Sequence, residues 1–218
     1  MTQKIFLLFL YLHIALGSTG LIAGAITLIL KKGDARHKKI GKLFAYAMLG
    51  SAAASFVIAV LHDQKFLFIV GVFTVYLIGT GMRYLRQRRA PKPQAIDWTL
   101  SIFMLVFGTL FVVYAAYLFY YGNNFGSVLL VFGLISLALV QRDYTFYFKT
   151  NNHPKMWLLE HITRMVAGEI ASFTAFVVVN NTLLPDVLAW LLPTVIGTVL
   201  ITIWRKRVKE NYELKAVS

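Results

Sequence analysis

The sequence predicts an all-α, polytopic transmembrane bundle of seven helices, and three observations carry that prediction. Of 218 residues, 58% are apolar and 14% are charged, whereas a soluble domain is about half apolar and about a quarter charged. The apolar residues gather into seven long runs, each near the ~20 residues that a helix needs to cross a bilayer. The cations collect between alternate runs, as the positive-inside rule requires. A mean hydropathy of +0.68 excludes an ordinary soluble globule and a disordered chain. With no cysteine, a disulfide-stapled domain and thiol chemistry are excluded too.

The runs cover residues 5–30, 43–61, 66–85, 98–121, 125–144, 157–179 and 184–204. The first has one Lys before it and a dense basic cluster after it. A signal peptide carries its charge before a short apolar region, so this run reads as an uncleaved helix. The third ends in a basic connection stiffened by Pro91 and Pro93, and the fourth ends at Asn123-Asn124. The fifth is short in strictly apolar residues and runs on through Gln141 and Tyr144. All seven are continuously apolar, without the alternation of a membrane barrel strand. The chain reads as a single transmembrane domain.

Nineteen of the 22 Lys and Arg residues fall in the odd-numbered connections and the tail, leaving Lys4, Lys65 and Arg164. The C-terminus is therefore expected in the cytoplasm and the N-terminus outside. The net charge of +13 reads as a topology signal with some attraction to anionic lipid, and no nucleic-acid partner is expected.

Ionisable groups inside a span cost upwards of ~2.5 kcal/mol near its centre, so each is a functional candidate. His13 lies in the first run and is followed on its face by Gly17, Gly20 and Gly24. The second run answers with Ala47, Ser51, Ala54, Ser55, Ile58 and His62. Such small-residue stripes admit a close helix or a flat cofactor. In the sixth run, Glu160 and Arg164 are spaced for an intrahelical ion pair, with Arg164 snorkelling to the interface. His161 shares that run, and Glu169 lies near its middle. An acid there is either neutral or paired with a cation or hydroxyl from another helix.

The residues His13-Ile14, Gly20, Ile22 and Ala23 match His161-Ile162, Gly168, Ile170 and Ala171 without a gap. An inverted repeat of the kind found in transporters would place one histidine in each leaflet. The segment 31–42 combines six cations, two glycines and His37. It reads as an orientation-setting loop or as a grip for phosphate or carboxylate groups. No P-loop, nucleophile elbow or His-Glu-x-x-His zinc pair occurs in the sequence.

Three pieces together resemble a known bacterial family. They are His13-x-x-x-Gly17 with its glycine stripe, Lys32-Gly33-x-x-x-His37-Lys38-Lys39-x-Gly41, and the run from His161-Ile162 through Met165, Ile170-Ala171 and Thr174-Ala175-Phe176 to Asn180. They look like the predicted multi-helix membrane proteins grouped as domain of unknown function 2306. The resemblance spans roughly residues 10 to 180. It implies a bacterial cytoplasmic membrane location and supplies no activity.

Four functions are open to such a chain. The first is a redox or metal protein, with His13, His62, His161 and His37 or His153 binding haem b. A transition metal such as zinc, copper or iron is the other cofactor expected there. The second is a proton-coupled transporter of a small molecule with Glu169 as the titrating group. The third is a zinc-dependent lipid hydrolase whose metal is held by His13, His62 and Asp63, since zinc needs three or four converging ligands. The fourth is a non-catalytic scaffold. Membrane lipids are expected partners in each case, and a homo-oligomer is compatible with all four.

Overall fold

The computed structural model describes residues 2–87, 92–148 and 154–217. They form seven α-helices: α1 (Thr2–Ile29), α2 (Ala35–His62), α3 (Lys65–Tyr84), α4 (Ala95–Tyr120), α5 (Gly126–Phe148), α6 (Met156–Val179) and α7 (Asp186–Val217). A 3-10 turn at Leu85–Gln87 follows α3, and no strand occurs among the described residues. The first six helices are long and apolar enough to cross a membrane. The seventh runs on from its apolar half into the basic tail and contains Pro193. The chain is a helical, multi-pass membrane protein. His153, Arg88, Arg89, Pro91 and Lys149 lie outside the described residues.

Successive helices run antiparallel, so alternate connections share one end of the bundle. One end carries the basic connections α1–α2, α3–α4 and α5–α6 together with the tail, and is called here the basic end. The other is the neutral end. Tyr114, Tyr117, Tyr120 and Tyr121 cluster at the neutral end of α4. At the basic end the Trp98 ring lies against Tyr144, Tyr147 and Phe148. Aromatic girdles at two levels are what amphipathic rings make at the two faces of a bilayer.

The second helix starts eight residues before the predicted run. Gly33 takes a left-handed turn (φ 84°), and the Asp34 carboxylate then accepts the His37 N–H at 2.6 Å as N-cap. Most of the basic segment is thus the first two turns of α2 rather than a loop. Lys32 is also committed: its ammonium donates to the carbonyls of Thr27 (2.9 Å), Leu28 (2.6 Å) and Leu30 (3.2 Å). It closes the C-terminus of α1, where unpaired carbonyls concentrate negative charge.

Glycines set how closely the helices pack. A Cβ at Gly20 would strike Met48, and one at Gly17 would press on Ser51, so the small-residue stripes of α1 and α2 do face each other. Gly108, Gly126 and Gly133 zip α4 to α5. Gly81 and Gly168 bring α3 against α6. Around α3 lies the main apolar core, built on Val72, Phe73, Tyr76, Leu77 and Met104.

Candidate functional site

The sixth helix carries a charge to each of its neighbours. At about 100° per residue, Glu160 and Arg164 lie ~40° apart round the helix, His161 ~100° from Glu160, and Glu169 about half a turn away. Each of these side chains therefore meets a different helix. The expected Glu160–Arg164 ion pair is not formed, and each residue pairs outside its own helix.

Arg164 does not snorkel; its side chain is wholly buried, as is that of Asp143 in α5. The guanidinium donates to Asp143 Oδ1 at 2.5 Å and to the Leu139 carbonyl at 2.8 Å. Tyr84 donates to Asp143 Oδ1 at 2.5 Å, Ser101 donates to Oδ2 at 3.0 Å, and the Tyr76 hydroxyl also donates to Oδ2. Four donors occupy the roughly four acceptor positions that an ionised carboxylate offers. The cluster ties α3, α4, α5 and α6 together and has no acceptor to spare. Its geometry suits architecture rather than proton exchange.

Glu160 turns to α7 instead. Arg205 donates to Glu160 Oε1 at 3.0 Å, to Thr163 Oγ at 2.6 Å and to the Leu159 carbonyl at 2.9 Å. This contact draws the basic end of α7 onto α6. Nearby, Arg83 of α3 holds Asp97 of α4 through two bonds of 2.6 and 2.8 Å.

The two matched histidines make matched contacts. His13 Nδ1 donates to the Ser51 carbonyl at 3.0 Å, and His161 Nδ1 donates to the Gly81 carbonyl at 2.8 Å. Seven residues on, Gly20 packs on Met48 and Gly168 packs on Ile78. Both steps in the partner helices are three residues, so α1–α2 and α6–α3 dock in the same local register. With Nδ1 donating, a neutral imidazole keeps a bare lone pair at Nε2.

Glu169 stands apart from the other charges. It is 7% exposed, and its Oε2 is buried without a hydrogen-bond partner. Gly24 of α1 makes room for it, since a Cβ there would collide with the carboxyl group. Towards the basic end, His161 is anchored on Gly81 of α3, and His37 stands in the first turn of α2. His37 Nδ1 is likewise buried without a partner. Glu169 and His37 thus each present a buried polar atom without a partner.

The remaining candidates are dispersed. His62 lies with its ring 3.8 Å from that of Phe6, eleven residues beyond the Ser51 that engages His13. Asp63 caps α2 in a left-handed conformation (φ 48°) and is exposed. Among the described residues, no three His, Asp or Glu side chains converge to hold a metal ion. His13, His62 and Asp63 accordingly form no three-ligand set.

Sequence reasoning missed Asp143, Tyr76, Tyr84 and Ser101. Charge balance offered a signal, since Arg164 in the sixth run needs an acid and Asp143 sits in the extended fifth. Compared with protein families, with characterised proteins and with solved structures, the chain shows no match.

Proposed function

We propose that this chain is a proton-coupled carrier of the bacterial cytoplasmic membrane, with Glu169 as the group that takes up and releases the proton. All seven helices cross the bilayer, with the N-terminus outside and the basic end in the cytoplasm. The concentration of Lys and Arg at that end supports this orientation.

One observation carries the reading. Glu169 is a buried acid on a glycine-backed seam, and one of its oxygens has no partner. A structural carboxylate in hydrocarbon is paired, as Asp143 is, because an unpaired charge there costs several kcal/mol. Glu169 keeps an oxygen open, which suits a group that must exchange a proton. His161 and His37 continue the route to the cytoplasmic face. Glu169 and His161 are separated by about 12 Å along the helix, so water or cargo bridges them.

Purified protein in liposomes, with a potassium gradient and valinomycin setting the potential, reports proton flux through an internal pH dye. Wild-type protein is expected to conduct or co-transport protons, and Glu169→Gln to abolish flux while eluting and melting as wild type. Equal flux from wild type and Glu169→Gln overturns the assignment.

A further inference from the structure

The hairpins α2–α3 and α4–α5 are joined firmly at the basic end and diverge at the neutral end. Arg83–Asp97 and the contact of Gly79 with Leu100 hold α3 to α4 at the basic end. Where they part, they leave an open cleft of about 770 Å³, walled by Val60, Phe68, Phe107, Leu110, Val113 and Tyr117 among others. Its volume lies in the range of small-molecule sites, about 300–1,000 Å³. The walls are apolar apart from the Tyr114 and Tyr117 hydroxyls, and the charged groups sit at one rim, on the turn Asp63–Gln64–Lys65.

Two features identify what fits this cleft. The first is length. From Phe107 to Tyr117 the α4 wall extends about 15 Å at 1.5 Å per residue, half of a hydrocarbon layer ~30 Å thick. It accordingly spans a single leaflet, the depth reached by one acyl chain. The second is charge. At the rim, the Asp63 carboxylate and Lys65 ammonium stand 3.8 Å apart, and their side chains are 83% and 54% exposed. An acid and a base side by side complement a headgroup that carries a phosphate and a primary ammonium.

We infer that the cleft seats one acyl chain of a phosphatidylethanolamine-type lipid, with Lys65 meeting the phosphate and Asp63 accepting from the ammonium. The site is independent of the Glu169 seam, since the two share no residue.

The full-length protein is reconstituted in nanodiscs of equimolar phosphatidylethanolamine, phosphatidylcholine and phosphatidylglycerol, and retained lipid is counted by native mass spectrometry. One phosphatidylethanolamine per chain is expected, favoured about threefold over phosphatidylcholine, as exposed charge pairs allow. Val113→Trp fills the cleft from an exposed wall position and should lose the retained lipid. Asp63→Asn, which tolerates the left-handed turn, should keep a lipid but lose the preference between the two zwitterionic headgroups. Retention unchanged in Val113→Trp, equal retention of all three lipids by wild type, or a lipid-free dimer would each overturn the assignment.

Discussion

The helix pairs α1–α2 and α6–α3 are built on one plan and loaded differently. In each, a histidine donates from Nδ1 to a carbonyl of the neighbouring helix, and a glycine seven residues later lets the backbones close. Around His13 the partners are small or flexible, Ser51 and Met48, and no buried charge is nearby. Around His161 the same helix also carries Arg164, Glu160 and Glu169, engaging α5, α7 and α1. One pair is a joint; the other is a joint that also organises the bundle. The difference shows that a histidine in a span is not by itself a ligand, because both imidazoles are anchored by backbone in the same way. What distinguishes the second region is the company of groups that are charged or left open.

The sharpest way to break the comparison is through the charge that only α6 carries. Arg164→Met strands the Asp143 carboxylate in the core and should cost about 3–5 kcal/mol, the usual result of removing one partner of a buried pair. Thermal unfolding in detergent measures it. Arg164→Met combined with Asp143→Leu should recover part of the loss, since no charge is then left alone. A double variant no more stable than the single one would show that packing, not charge, sets the cost.

The matched glycines sharpen the comparison at a smaller scale. Gly168→Ala presses a methyl onto Ile78, a β-branched side chain that is wholly buried and stiff. Gly20→Ala presses on Sδ and Cγ of Met48, an unbranched side chain that is also buried. Overpacking should cost about 1–3 kcal/mol at either glycine, and the two melting curves compare the joints directly. Equal losses would mean that the two joints are equally rigid.

The smallest effect concerns the histidines themselves. His13→Phe deletes the contacts of Nδ1 with the Ser51 carbonyl and hydroxyl, and His161→Phe deletes the bond to the Gly81 carbonyl. Each should cost about 1 kcal/mol. Only His161→Phe should also slow proton flux in liposomes, because the proposed route runs from Glu169 to the basic end, whereas His13 lies on the same α1 face towards the neutral end. Equal flux in both variants would reduce His161 to the same joint as His13.

Much of the architecture was legible because a bilayer demands a simple pattern. Runs of apolar residues and alternating cation clusters mark helices and their order, and the observed helices lie over the predicted runs. The starts were less legible at α2, where a Gly-Asp cap in a basic segment outweighed polarity. The candidate site was legible only in part. Glu169 and His37 each hold a buried atom without a partner, whereas His13, His62 and Asp63 do not converge. The Glu160–Arg164 spacing satisfied the rule for an intrahelical pair, yet each residue found a stronger partner on another helix.

From the sequence alone came the class of solvent, the number of helices and the residues costly enough to need an explanation. Those are sums over one chain's own polarity and period, and they require no knowledge of neighbours. Only the tertiary structure decided which charge meets which, that Arg164 belongs to Asp143, and that Glu169 faces a glycine instead of a cation. Pairing between helices depends on rotation and register, to which each isolated helix is indifferent until its neighbours are packed against it.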